Sequence, residues 1–459
     1  MNGIEVSEYS GAGYLPLVKF ASWRVAVANY GPHFDRATYR YFERHLLTDE
    51  VFVLLEGEAE LVAGGARSRC GWRRGNCITS GKGCGTPCFC RRTQSADCGG
   101  ARDLVREHGI RLFSVRKKRQ DMELISRSKP QYKANLHCHS TLSDGHRTVA
   151  ELKELYRAQG YSILAVTDHE YPASHAALTD ADFLMLTGYE VYIRPNPKGI
   201  FDPYQPEVHL NLFARDPYNT RLICPNGNNY CRYREKNGNP REIVGVGSEA
   251  PRQYTVDYVN AFIRTALENG YLVAYNHPYW SMEDEATILS YEGLFSLEIC
   301  NYGSYLSNGL EHTAALYDRM LSRGWHINCH GGDDNHNKYP LDDPLSDSFG
   351  AFTMICSEEL TYAAVVDAME HGEMYMSMGP RFNRLAVEGE TLRVECSEVS
   401  AIFVYTGSKQ PTAVYAPKGE TLTSAEVPID PAARYLRVSL RDRDGRWADT
   451  RGFFPQEWR

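Results

Sequence analysis

From about residue 130, short apolar runs alternate with stretches in which apolar residues recur every three or four positions. The runs are ANLHC, SILAVTD, FLMLTGYE, EVHLNLF, LVAYNH, LFSLEIC, WHINCH and AFTMICS. Runs of that length predict strands, and the longer period between them predicts amphipathic helices. Thr148 and Glu151 stand ahead of VAELKELYRAQG as a capping box. VDYVNAFIRTALENG and GLEHTAALYDRMLSRG close on Gly270 and Gly324, which predicts helix ends there. Repeated β–α units imply a parallel sheet, open or closed into a barrel. Residues 216–254, rich in Asn, Gly, Tyr, Arg and Pro, break the rhythm and predict a long inserted loop of the kind that serves as a lid. After residue 385 the pattern becomes alternating, as in AIFVYTG and RYLRVSLRD with an Asp444-Gly445 turn, and predicts a small antiparallel β domain.

The N-terminal part has a different character. Residues 14–65 read as β-structure, with a turn after Glu56 between two apolar strands. Glu43, His45, Glu50 and Gly57 resemble the first motif of the cupin family, with Glu43 in the place of the motif's first histidine. Residues 66–121 show almost no apolar period. Six of the 13 cysteines lie there, between Cys70 and Cys98, at spacings unlike those of structural zinc sites. Two readings of this stretch stay open: a basic linker, or a segment translated out of frame ahead of a start at Met122. No chemistry is assigned to its cysteines.

Charge sharpens that division. The whole chain carries 50 Lys+Arg and 58 Asp+Glu, a net −8. Residues 66–121 hold 14 Lys+Arg and 4 Asp+Glu, so the remainder is at −8 − 10 = −18. Such a surface excludes non-specific binding of nucleic acid by bulk charge. No apolar run reaches the ~18 residues of a membrane span, and the N-terminus lacks a secretory layout. The expected compartment is therefore the cytoplasm, and no membrane partner is expected. Oligomeric state is not legible.

The polar residues carry the chemistry. Nearly every predicted strand between 130 and 336 ends in a histidine or a carboxylate: His137 and His139, Asp168 and His169, Glu190, His209, His277, Glu298, then His330, Asp333, Asp334 and His336. In a β/α barrel such ends gather at one mouth. His137 and His139 are two apart on a strand and share a face, as two imidazoles gripping one ion would. So many charges at one mouth call for cations, since unpaired buried charge is expensive. Imidazole with carboxylate and no thiolate suits Mn, Zn or Fe.

In their order, HCHSTLSDG, TDHE, GYE, His209, NHP and DDNH resemble the motifs of the PHP (polymerase and histidinol phosphatase) superfamily. The resemblance covers roughly 130–385. It implies a distorted (β/α)7 barrel, TIM-like, with two or three divalent metal ions. It implies one ion on His137, His139, Glu190 and Asp334. Glu190 would bridge to a second on His209 and His277, and a third would lie on Asp144, His169 and His336. Asp333 fills a position that is often serine in the family; the two-residue spacing to His336 favours Asp334 as the ligand. Glu298 and His330 are read as supporting or structural, and Asp168 as orienting its neighbour.

The expected organisation is then a partial cupin-like segment at 1–65, the irregular basic segment at 66–121, a PHP-like hydrolase at 122–385 and the C-terminal β domain at 386–459. The expected activity is a metal-dependent phosphoesterase. A metal-bridging hydroxide would attack a small phosphorylated substrate, with Glu190 and Asp334 at the reacting centre and no side-chain nucleophile. Alternatives are hydrolysis of a carboxylic ester or carbamate, and a nucleic-acid-associated exonuclease-like module. Arg194, Arg215 and Tyr279 are candidate substrate contacts, as clamps on phosphate or a ring to stack. Cys138, between two ligands, should point into packing.

Overall fold

The computed structural model describes residues 121–196, 199–225 and 245–458, together with the backbone of five short N-terminal strands. The chain divides into two compact units, Met1–Arg119 and Gln120–Arg459. In the first, Glu5–Val6, Gly13–Phe20 and Trp23–Asn29 pair antiparallel in that order, and Ala59–Ala63 pairs with Ala66–Cys70. The start of the stretch expected to be irregular is thus a strand. Glu43, His45, Glu50, Gly57 and the turn after Glu56 lie outside the described residues.

The second unit is mixed α/β. Nine strands carry its central sheet: β1 (Gln131–Asn135), β2 (Ile163–Val166), β3 (Leu184–Ile193), β4 (Val208–Ala214), β5 (Tyr271–Tyr275), β6 (Ser296–Asn301), β7 (Asn328–Gly332), β8 (Phe352–Cys356) and β9 (Met374–Ser377). Their spatial order is β7-β6-β5-β4-β3-β2-β1-β8-β9. Helix α1 (Val149–Ala158) joins β1 to β2, and its Thr148–Glu151 capping box forms as expected. Helix α2 (Val256–Glu268) precedes β5 and α3 (Ala314–Ser322) precedes β7. Both are followed by a glycine in the left-handed region, Gly270 at φ 84° and Gly324 at φ 86°. The helix expected over GLEHTAALYDRMLSRG covers only its second half. Gly309 ends an earlier short helix at φ 69°, and His312 bridges back to Cys300.

The expected uninterrupted β–α repeat is not what forms. β1∥β2∥β3 and β5∥β6∥β7 are parallel, but β4 is antiparallel to both neighbours. The reason is local: no helix is found among the described residues of 194–207, so the chain turns straight back from β3 into β4. The chain beyond β7 returns to β1. Cys138 bridges Asn335, the Asp334 amide donates to the His137 carbonyl (2.9 Å), and the His139 amide to the Asn335 carbonyl (3.0 Å). Those bonds bring the two ends of the seven-strand run together at the histidine cluster.

Both faces of the central strands are buried, as covered parallel strands require. Ile163 and Ala165 enter one core cluster, Leu164 and Val166 another. The C-terminal strands are antiparallel, as expected, but share these elements' packing. Trp447–Thr450 pairs with β9, and Val394, Val404 and Leu440 sit in one core cluster with Tyr156 of α1 and Leu164 of β2. Among the described residues no helix is long and apolar enough to cross a membrane.

Candidate metal centre

The elements just described carry nine imidazoles and carboxylates into one place. His137 and His139 follow β1, His169 follows β2, Glu190 lies within β3, and His277 follows β5. His209 does not sit at a C-terminal strand end like the others. It is the second residue of β4, and it reaches the same mouth because β4 runs the other way. Asp334 and His336 follow β7, where Gly332 permits the close pass: a Cβ there would lie 2.7 Å from the His137 Cβ. Gly145 has the same role in the turn after Asp144, since a Cβ would lie 2.2 Å from the His139 carbonyl oxygen. His277 and Asp334 adopt positive φ, 26° and 50°, a strain that non-glycine residues accept mainly at functional sites.

Three donor sets result: His137, His139, Glu190 and Asp334; Glu190, His209 and His277; and His139, Asp144, His169 and His336. In the first, the Asp334 carboxylate lies 3.2 Å from His137 Nε2 and 2.9 Å from His139 Nε2. Glu190 faces two ways. Its Oε1 meets His209 Nδ1 at 2.9 Å and His277 Nε2 at 3.3 Å, while its Oε2 meets His169 Nδ1 at 3.0 Å and His139 Nε2 at 3.4 Å. The third set is looser, with Asp144 between 3.5 and 3.7 Å from His336, His169 and His139.

These residues fit metal ions. The buried Nε2 atoms of His137 and His139 have no hydrogen-bond partner, although oxygens of Glu190 and Asp334 stand 2.9 to 3.4 Å away. Lone pair facing lone pair is unfavourable until a cation lies between. Donors at about 2.1 Å around one ion sit about 3.4 Å from each other, the spacing of the first set. Electrostatics agree. Burial would raise Glu190 and Asp334, but the imidazoles, His137 foremost, hold both carboxyls well below the usual range. Burial opposes protonation of His137 and His169, yet the adjoining carboxylates win, taking His137 well up and His169 to about 9. Burial, helped by His336 and His169, lowers His139. Ligand histidines must be neutral, so cation binding here displaces protons.

A second layer aims the first. The Glu298 carboxylate lies 3.0 Å from His137 Nδ1, leaving Nε2 to face the centre. Its other oxygen accepts from the His277 amide and from Asn301 Nδ2, both at 3.0 Å. Asp168 accepts from the Ser140 amide (2.8 Å) and hydroxyl (2.6 Å) and from the Ser143 amide (3.1 Å) and hydroxyl (2.5 Å), and so orders the His139–Asp144 turn. Asp333 points away from the centre. Its oxygens accept from Tyr156 Oη and the amides of Phe349, Gly350 and Ala351. Asp334 is therefore the carboxylate presented to the histidines. His330 pairs with Ser296 Oγ at 2.8 Å, and burial pushes it down to about 4. Cys138 is buried among Leu152, Tyr156 and their neighbours, as expected.

The three candidate substrate contacts fare differently. Arg194 is taken up by Glu207, donates to the Gly199 carbonyl (2.8 Å) and lies over the Tyr192 ring at 4.1 Å. Arg215 is not brought to the cluster. It ends β4 at the end remote from His209, where Glu370 and the Tyr271 carbonyl hold it. Tyr279, two residues after His277, is half exposed. Sequence reasoning missed Glu207, whose Oε1 is 3.5 Å from His209 Nε2; the signal was its spacing of two from His209 along a strand.

Residues 135–306 match the family model of the PHP domain. This stretch is similar to PHP domains. Asp334 and His336 lie beyond the matched range. A 5'-3' exoribonuclease of Haemophilus influenzae is 34% identical over 95 residues, 20% of this chain and 33% of that protein. The chain thus spans about a third of the length of that curated relative. Among solved structures, a two-domain protein with a proposed PHP-like metal-dependent phosphoesterase from Bacteroides vulgatus is 12% identical. The match covers 73% of this chain and 99% of that one, with TM-score 0.35. A proposed metal-dependent phosphoesterase from Bifidobacterium adolescentis is 19% identical over 48% of this chain and 94% of that one, TM-score 0.28. An amidohydrolase from Chromobacterium violaceum with bound sulfate is 18% identical over 44% and 87%, TM-score 0.28.

Proposed function

We propose that the chain is a metal-dependent phosphoesterase acting on a small phosphomonoester or nucleotide. The observation that carries this is the convergence of the three donor sets on Glu190, with the buried Nε2 atoms of His137 and His139 facing carboxylate oxygens without a hydrogen bond. His137, His139, Glu190 and Asp334 would hold one ion, Glu190, His209 and His277 a second, and Asp144, His169 and His336 a third. Two or three Mn, Zn or Fe ions would supply a water of near-neutral pKa and neutralise charge on phosphoryl oxygens. Glu190, whose two oxygens face different histidines, would contribute to both of the first two sites. A (β/α)7-type arrangement with one antiparallel strand suits this centre, because every ligand then meets at one mouth.

The remaining residues prepare the site. Asp168 holds the Ser140 hydroxyl at 2.6 Å, and Cys138 is packed in the core, so neither is set up as a nucleophile. Glu298 keeps the proton of His137 on Nδ1. A second reading, removal of nucleotides from an RNA 5' end, is favoured by the exoribonuclease likeness over 95 residues.

The test is elemental analysis of purified protein joined to phosphate release from phosphomonoesters and nucleotides, and to release of mononucleotides from a 5'-phosphorylated oligoribonucleotide. Aryl-ester and carbamate substrates run alongside, with His137→Ala as control. Stoichiometric metal and phosphate release that the variant loses are expected. Less than one ion per chain, or release untouched by the substitution, would sink the reading.

A further inference from the structure

The wall beside the second donor set is aromatic and open. Trp280 stands edge-on to two of its histidines, 4.8 Å from His277 and 5.1 Å from His209 between ring centroids. On its outer side, 6.2 Å away and within 18° of parallel, lies Phe201, from a loop about 80 residues earlier in the chain. Phe201 is 52% exposed, and Tyr279 and Met282 on the Trp280 loop are exposed to a similar degree. Large apolar side chains grouped in solvent next to a polar centre mark a place where a ligand comes.

The two loops are held together and to the rest of the fold. The Glu207 amide donates to the Ser281 carbonyl (3.0 Å), tying one to the other. Glu311 accepts from the Tyr279 amide (3.0 Å) and the Trp280 amide (2.8 Å). Arg194 pins the Phe201 loop through the Gly199 carbonyl, while Glu207 neutralises its charge. The expected phosphate clamp thereby braces the loop of an exposed aromatic ring, and its guanidinium also lies over that ring, 5.4 Å from the Phe201 centroid.

We infer that Phe201, backed by Trp280, forms a stacking platform for a planar aromatic ring on the leaving-group side of the substrate, the base of a nucleoside ester. The inference rests on the phosphoesterase reading above and names its substrate class. In a nucleoside 5'-phosphate the sugar separates phosphorus from base, as the Trp280 ring separates the histidines from Phe201.

The experiment uses the full chain loaded with manganese. kcat/KM is measured for 4-nitrophenyl phosphate, adenosine 5'-monophosphate and glycerol phosphate in wild type, Phe201→Ala and Phe201→Tyr. Wild type should favour adenosine 5'-monophosphate over glycerol phosphate by about tenfold, the scale of one base stacked on one ring. Phe201→Ala should remove most of that preference, and Phe201→Tyr, which keeps the ring, should restore it. A preference confined to 4-nitrophenyl phosphate reflects its better leaving group and overturns the inference, as do equal rates on all three esters.

Should no ester be hydrolysed, the phosphoesterase reading falls. Calorimetric binding of adenosine 5'-monophosphate against ribose 5-phosphate then decides this one: tenfold tighter binding of the nucleotide, lost in Phe201→Ala, supports it, and equal binding overturns it. Sedimentation supplies one more outcome. A dimer that Phe201→Ala dissociates, with ester preference unchanged, makes the patch a contact between copies and refutes the platform.

Discussion

Substituting Glu298 by Gln isolates the part played by the layer behind the metal ligands. One Glu298 oxygen accepts two donors, the His277 amide and Asn301 Nδ2, each at 3.0 Å. The other faces His137 Nδ1 at 3.0 Å. A glutamine must keep its carbonyl oxygen where two donors converge, because its NH2 there would oppose both. The NH2 therefore turns to His137 Nδ1 and makes that nitrogen an acceptor. The proton of a neutral His137 then moves to Nε2, the atom 3.2 Å from Asp334 and 3.4 Å from Glu190. A protonated Nε2 cannot ligate a cation. Loss of such a supporting contact typically weakens metal binding 10–100-fold, about 1.4–2.7 kcal/mol. Without metal the His277 amide and Asn301 Nδ2 keep their acceptor, so the cost is confined to His137, which loses one of the carboxylates that hold its proton.

The assay is competition between the full chain and a chelator of known affinity, with manganese, alongside urea unfolding of the metal-free protein. Glu298→Ala is the contrast. It leaves the His277 amide and Asn301 Nδ2 without that acceptor, at about 1–3 kcal/mol of stability per buried group. Manganese affinity in Glu298→Gln within twofold of wild type would refute the tautomer argument. Equal destabilisation by Gln and Ala would refute the assignment of the two oxygens.

Three further outcomes are expected. Asp168→Ala releases the turn that carries His139 and Asp144, and should lower metal content by about one ion per chain rather than to zero; complete loss or no loss would both contradict the ordering role. Arg215→Ala removes the pair with Glu370 and the hydrogen bond to the Tyr271 carbonyl, so stability should fall by about 1–2 kcal/mol, with kcat/KM within twofold; a tenfold fall in kcat/KM would return Arg215 to the substrate site. Asp449 is buried, and although burial raises its pKa, His312 and Arg437 bring it down from 3.8 to about 2. Its contribution, about 2 kcal/mol at neutral pH, is complete above 3.8 and lost as pH falls towards 2. The stability gap between wild type and Asp449→Asn, read from urea midpoints, should narrow across that window; a gap that widens on acidification would show the sign to be wrong.

The linear pattern of the chain was enough for everything that depends on neighbours in sequence. Apolar runs marked the strands, the Thr148–Glu151 box and the glycines at 270 and 324 marked helix ends, and polar residues at the run ends marked the ligands. Six ordered motifs carried the PHP likeness and the nine residues that the structure gathers. Other features are set by strand direction and by contacts far apart in the chain. β4 runs antiparallel, so His209 joins the centre from the start of its strand while Arg215 is carried to the far end. Asp333 and Asp334 are adjacent and chemically alike; only the chain's path back past β1 turns one to backbone amides and the other to histidines. Glu298 supports His137 across 161 residues, and Phe201 meets Trp280 across two loops. A one-dimensional pattern encodes which face of its own element a side chain takes, but not which distant element will stand opposite, because register and strand direction are settled only when the whole sheet pairs.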